Sequence, residues 1–238
     1  MTRDCCAAQE ADHRFANHLA LLSGFVRLKA ADLARQPVGL TIPGVRLLLE
    51  SVRAQIEAVA RLHRSLALGG ARAATDLGEH LHEICAPLSS IVAGRITMIE
   101  DISPDCKVAP DRLLPLTQIV AEVITNAVKY AYPSGQVGRI LVRSRRDETG
   151  TIVLEVADEG PGFPEDFDAT TDCGLGLQMI RALARKLGAL IEFESGQSGV
   201  HFRLTLPPES ARADSTESRP HRREPAKPHR FFNGDTNE

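Results

Sequence analysis

Between residues 10 and 88 the apolar positions recur with a helical period. Phe15, Leu19, Leu22, Val26 and Leu33 fall at i, i+4, i+7, i+11 and i+18, a heptad-like seam on one helix. Leu21, Phe25 and Leu28 form a second apolar row beside it. The buried face is therefore broad, which suits a helix packed against more than one neighbour. Pro37 and Pro43 break the pattern. A second helix then carries Val45, Leu48, Val52, Ile56, Val59, Leu62 and Leu66. Two antiparallel helices alone leave half of such faces wet, so a homodimer closing a four-helix bundle is expected. A third, shorter helical run, DLGEHLHEICAPL, follows Gly69 and Gly70.

From about residue 96 to 206 the texture changes to strand-length apolar runs, helical stretches and glycine turns. Residues 96–101 read as a strand and residues 111–132 as a long helix. ILVRSRR and TIVLEVAD read as two strands of a hairpin around the turn DETG. A helix over residues 175–187 ends at Gly188, placed as a C-cap. IEFES and VHFRLTL form a final strand pair around residues 196–199. The fold class is α+β: a helical hairpin followed by a mixed sheet with helices on one face. Residues 209–238 contain no Leu, Ile or Val. Such a segment buries too little apolar surface to offset its ordering entropy and reads as a disordered tail. The expected boundaries are 8–90, 91–208 and 209–238.

Charge narrows the function classes. Lys+Arg 28 against Asp+Glu 31 leaves a net of -3, without the basic excess of a nucleic-acid-coating domain. Aromatic residues at 4% with no Trp disfavour a base-stacking surface. No apolar stretch approaches the ~18 residues of a membrane helix, and MTRDCCAAQEADHR lacks the apolar core of a secretory signal. The expectation is a cytoplasmic chain without membrane insertion. Cys5, Cys6, Cys85, Cys106 and Cys173 form no C-x-x-C pair, so they read as scattered reduced thiols.

Three short segments carry candidate chemistry. In AEVITNAVKYAY, α-helical spacing sets Glu122, Asn126, Lys129 and Tyr130 on one face. A carboxylate, an amide and an ammonium on one stripe suit Mg²⁺ and phosphate oxygens, although a solvated face with opposite charges has the same pattern. TIVLEVAD delivers Asp158 at a strand end, followed by Gly160 and Gly162. That arrangement is either a plain turn or a fixed carboxylate beside backbone open to a ligand. Gly174, Leu175 and Gly176 open a helix, where backbone N–H groups suit an anion.

NAVKYAYP, DEGPGF and GLGLQMIRALARKLG together resemble the N, G1 and G2 boxes of the Bergerat-fold ATPases, which include histidine kinases and gyrase-type and chaperone ATPases. The resemblance implies ATP and Mg²⁺ as ligands. It assigns Asn126 to Mg²⁺ and Glu122 to its water shell or to positioning the nucleophile. It places Lys129 and Tyr130 by the nucleotide, Asp158 on the adenine amino group, and Gly160, Gly162, Gly174, Leu175 and Gly176 in nucleotide-binding loops. The short stretch between Phe163 and Cys173 fits the small lid of histidine kinases. Upstream, EADHRFANHLALLSGFVRL resembles their H box, E-x-x-H-R-x-K-N, with His13 at the phosphoacceptor position and Arg14 and Asn17 in register. Ala16 stands where Lys is usual, and Tyr130 where many relatives carry His.

Helix geometry agrees on His13. It lies about 200° around the helix from Phe15, away from the seam, with Glu10 at i−3 able to orient or deprotonate the imidazole. A surface histidine without a role is the plain alternative, since the chain has 8. His18 falls in the row with Leu21, Phe25 and Leu28 and reads as a packed or boundary histidine. His80 and His82 point to different sides of their helix and form no metal pair. The expected function is a histidine kinase core, lacking a sensor domain of its own, that phosphorylates His13 from ATP. The resemblance implies onward transfer to an aspartate of a response regulator receiver domain, and admits a separate sensor protein as partner. The rivals are a non-catalytic phosphotransfer protein with a degenerate ATPase-like domain, and an anti-sigma-type serine kinase. Intact Glu122, Asn126, Asp158 and glycines count against the first, and the H box against the second.

Overall fold

In the computed structural model two long helices, α1 (Thr2–Arg35) and α2 (Ile42–Ala67), precede the α/β layer. The structure describes residues 2–35, 42–67, 75–132, 136–164, 167 and 174–208, with α1 described in backbone only before Phe15. The expected tail over 209–238 lies outside the described residues. The Phe15 ring stands edge-on to His63 at 4.6 Å, so the start of α1 lies beside the end of α2 and the hairpin is antiparallel.

Next come β1 (Thr75–Asp76), α3 (Leu77–Val92), β2 (Ile96–Ile102), β3 (Lys107–Val108) and α4 (Pro110–Asn126). A π turn (Ala127–Ala131) leads to β4 (Gly138–Arg146), β5 (Ile152–Asp158), α5 (Leu175–Leu187), β6 (Leu190–Gly196) and β7 (Gly199–Leu206). The local signals behave as their chemistry requires. Asp76 caps α3 by accepting from the Gly78 and Glu79 N–H groups at 2.8 and 3.3 Å. Gly188 ends α5 at φ 67°, the left-handed cap that a residue with a Cβ resists. The helix expected over 111–132 stays α-helical only as far as Asn126, and the π turn takes its last residues out of register.

The main sheet has strand order β2–β4–β5–β7–β6, with β2 and β4 parallel and the other neighbours antiparallel. β1 and β3 pair separately. On the inner face Ile140, Val142, Leu154, Val156, Phe202 and Leu204 are fully buried. α4 is buried almost all the way round, because α2, α3 and α5 all pack on it. The two apolar rows of α1 part company. Phe25 is buried, whereas Phe15, Leu19 and Val26 of the seam are each 46% exposed and face away from the layer.

The outer face of the sheet carries an ordered row of charge. Asp101, Arg143, Glu155, Arg203 and Glu192 stand directly opposite one another across all five strands, alternating in sign. Arg143 Nε donates to Asp101 Oδ2 at 2.9 Å, and Arg203 Nη2 to Glu155 Oε1 at 2.8 Å. The Arg145 and Arg143 guanidiniums hold the Asp101 carboxyl below the usual carboxylate range. A one-residue slip would turn this row inward and the apolar row outward, so both faces specify the same register. Glu155→Lys sets three like charges side by side at the middle of the row. Cross-strand pairs contribute roughly 0.2–1 kcal/mol each, so a loss of about 1–2 kcal/mol is expected. Thermal melts in low and high salt check this: part of the loss should return as salt screens the repulsion.

Candidate functional site

α4 carries Glu122 and Asn126 one helical turn apart, and burial on every side fixes the backbone beneath them. Glu122 is 3% exposed. A methyl group on Gly176, in the first turn of α5, would collide with the Glu122 carboxylate, so glycine there lets the start of α5 close on α4. The other Glu122 oxygen accepts a short hydrogen bond from the Lys29 ammonium, which reaches in from α1. Lys29 carries no motif signal in the sequence, yet it is the cation on the site's central carboxylate.

Lys129 and Tyr130 lie in the π turn that follows α4, which is wider than the α turn on which the sequence spacing was counted. Tyr130 is 63% exposed, with the Lys129 ammonium 4.9 Å from its ring centre.

Asp158 ends β5 beside this helix. Its Oδ1 accepts from the Gly160 N–H at 2.9 Å and the Val200 N–H at 3.1 Å, so one oxygen is built into the loop. Gly160 lies against Ala131, the last residue of the π turn, leaving no room for a Cβ. Gly162 adopts φ 79° against the Gly196 carbonyl, and the Phe163 N–H donates to Ser195 Oγ at 2.6 Å. The loop after Asp158 is thereby stitched both to α4 and to the β6–β7 turn.

Tyr132 completes the stitching, although nothing in the motif sets it apart from Tyr130. Its hydroxyl donates to the Arg139 carbonyl at 2.5 Å and accepts from the N–H groups of Arg139 at 3.1 Å and Glu159 at 2.8 Å. Burial pushes this phenol up from its ordinary pKa, so it keeps the proton that it donates. The ring fills the space a side chain at Gly138 would take. Arg139 also grips Glu159 with two guanidinium nitrogens and holds its carboxyl below the usual range.

Gly174, with nothing within 4 Å of where its Cβ would stand, precedes Leu175 and Gly176 at the open start of α5. The first N–H groups of a helix lack partners within it, which suits an anion. The structure thus joins Glu122 to Gly176 and Asp158 and Gly160 to the end of α4.

His13 and Glu10 lie on the helical backbone of α1, with side chains outside the described residues. His18 is buried, as the apolar row predicts, with Nδ1 3.1 Å from His63 Nε2. His80 bonds the Asp76 carbonyl and His82 the Glu100 carboxylate, on different sides of α3. Among the described residues no helix is long and apolar enough to cross a membrane, and no group of three or more His, Cys, Asp or Glu could hold a metal.

Comparison with known proteins covers both halves. Residues 10–92 match the model of the family described as histidine kinase. Residues 112–210 match that of the histidine kinase-, DNA gyrase B- and HSP90-like ATPases. Blue-light-activated histidine kinase 2 of Erythrobacter litoralis is 28% identical over 83% of this chain and 56% of its own length. Sensor histidine kinase PdtaS of Mycobacterium tuberculosis is 27% identical over 84% of this chain and 39% of its own. The chain therefore spans about half or less of the length of these relatives. The solved histidine kinase domain of the Erythrobacter litoralis EL346 blue-light-activated kinase covers 89% of this chain and 99% of its own with a TM-score of 0.65. At 23% identity that likeness speaks for the fold. With the helical hairpin and the α/β layer matched in order by the two family models, the chain belongs to the histidine kinases.

Proposed function

We propose that this chain binds ATP at the α4–α5 face and transfers the γ-phosphoryl group to His13, from which it passes to an aspartate of a receiver domain. The observation that carries the reading is Asp158. Both of its scaffold bonds fall on Oδ1, which leaves Oδ2 to accept from an exocyclic amino group such as that of adenine. Gly160 and Gly162 give the ring backbone-close access, and Gly174, Leu175 and Gly176 offer N–H groups to the phosphates. Lys129 and Tyr130 flank the outer end of that path.

Glu122 and Asn126 fit Mg²⁺ by donor chemistry. They are hard oxygen ligands one turn apart, and Mg²⁺ takes one or two protein oxygens together with substrate phosphates rather than a full protein cage. When bound, the ion neutralises charge on the phosphates. The residues of this chain do the rest by positioning. An imidazole nitrogen of His13 forms the N–P bond, the bond from phosphorus to the ADP oxygen breaks, and the proton on the second ring nitrogen passes to Glu10. The 8–90 segment serves as acceptor and dimerisation part and the 91–208 segment as nucleotide part. The reading places the chain in the cytoplasm, where ATP and receiver domains occur together.

Three measurements test it. Asp158→Asn replaces an acceptor with a donor facing an amino group and leaves a buried mismatch. A loss of roughly 2–4 kcal/mol, or ~30- to ~1,000-fold in ATP affinity, is expected by calorimetry. Unchanged affinity rejects the adenine assignment. His13→Gln should remove all acid-labile label from γ-labelled ATP while leaving ATP affinity near normal, since acceptor and nucleotide sit on different elements. Label on His18 or His63 instead would move the acceptor. The exposed seam of Phe15, Leu19 and Val26 and the exposed Val45, Leu49 and Ile56 of α2 are the surface for a second copy. Light scattering at tens of micromolar should give a homodimer, and Ile56→Glu a monomer.

A further inference from the structure

We infer that Tyr132 is a positioning residue for base selectivity: its hydroxyl pins the turn after Asp158 so that a single carboxylate oxygen faces the ligand, which favours adenine over guanine. The inference rests on the reading of Asp158 made above.

The Asp158 carboxylate and the Gly160 N–H close a small ring through the chain, and Glu159 is the residue inside that ring. Its own N–H donates to the Tyr132 oxygen at 2.8 Å. Continuing the β4–β5 register beyond the Ile140–Asp158 pair would set Glu159 opposite Arg139. The N–H groups of both residues meet at the phenol instead, and the phenol gives its proton to the Arg139 carbonyl. A hydroxyl has one proton and two lone pairs, so this one is fully used. Tyr132 is 3% exposed and its ring fills the niche beside Gly138, so the oxygen has one place to be. Ala131, the residue before it, backs Gly160.

The consequence falls on the carboxylate. The Gly160 and Val200 N–H groups occupy both lone pairs of Oδ1, so a ligand edge meets Oδ2 alone. Adenine presents one amino group beside a ring acceptor, which a single oxygen matches. Guanine presents two parallel donors, its ring N–H and its amino group, which together need both oxygens. Turned the other way it presents a carbonyl, which a carboxylate repels. Without the Tyr132 hydroxyl the Glu159 peptide is released, the Gly160 bond slackens and one lone pair of Oδ1 returns. Val200 still holds the carboxylate, because Gly199 seats against the Asp158 carbonyl independently of Tyr132. Both oxygens can then accept the paired donors of guanine.

The test measures the affinities of ATP, GTP and inosine triphosphate by calorimetry on the full chain and on its Tyr132→Phe and Asp158→Asn variants. Tyr132→Phe keeps the ring in its niche and removes only the hydroxyl. The ratio of ATP to GTP affinity should fall roughly tenfold, equivalent to ~1.4 kcal/mol of selectivity. General loosening of the fold would lower both affinities together and leave the ratio where it was, which overturns the inference. The unaltered chain supplies a second check. Inosine triphosphate lacks the amino group of guanine, and with Oδ1 filled that group gains nothing. GTP and inosine triphosphate should therefore bind alike, and GTP bound several-fold more tightly overturns the inference even where the variant fails to fold. If Asp158→Asn leaves the ATP affinity and the ratio unchanged, the reading of Asp158 fails and takes the inference with it. A ratio that moves in Asp158→Asn but not in Tyr132→Phe overturns the inference alone.

Discussion

Burial of α4 is the constraint on which the remaining structure hangs. Its residues are enclosed by the inner face of the sheet and by α2, α3 and α5, so the helix has neither a solvent face nor room to shift. Two of the polar side chains on this helix are met by groups that close on it or by its own backbone. Glu122 is met by Lys29 and closely approached by Gly176, and Thr125 returns its hydroxyl proton to the Ala121 carbonyl at 2.6 Å. Glycine at 160 and 176 follows from the same crowding, since a Cβ at either would strike α4 or the π turn that continues it.

The π turn joins this rigid element to the ligand loops. A single extra residue per turn at the end of a buried helix changes which side chains point inward. Asn126 remains in register with Glu122, Tyr130 goes to solvent, and Tyr132 is delivered to the start of β4 and the end of β5. There one hydroxyl makes three backbone bonds. The Asp158 loop is thus held from α4 by Gly160, from β7 by Val200 and from β4 by Tyr132, a degree of support that suits a carboxylate selecting one ligand edge.

The helical hairpin has a divided loyalty. One row of α1, with Phe25 at its centre, belongs to the nucleotide layer, while the seam through Phe15, Leu19 and Val26 faces the other way. A helix with two apolar rows can join two assemblies at once.

Much of this was legible from residues alone. The five strands of the main sheet and the helices of the layer follow from period and punctuation, with Gly188 stopping α5, whereas the short β1 and β3 do not. His18 declares itself as core by falling in the row of Phe25. The three glycine-bearing segments and Asp158 stand out because close backbone approach needs glycine wherever it occurs in the chain. Lys29, Tyr132 and the π turn were not legible. Nothing local distinguishes Lys29 from a solvated helix lysine, because its role comes from Glu122, 93 positions away. Tyr130 and Tyr132 are equivalent by composition, and only the widened turn at the end of α4 decides which one reaches the start of β4. Local chemistry is written in neighbours along the chain, whereas the partner of a buried charge and the register of a widened turn exist only once distant elements have closed on each other.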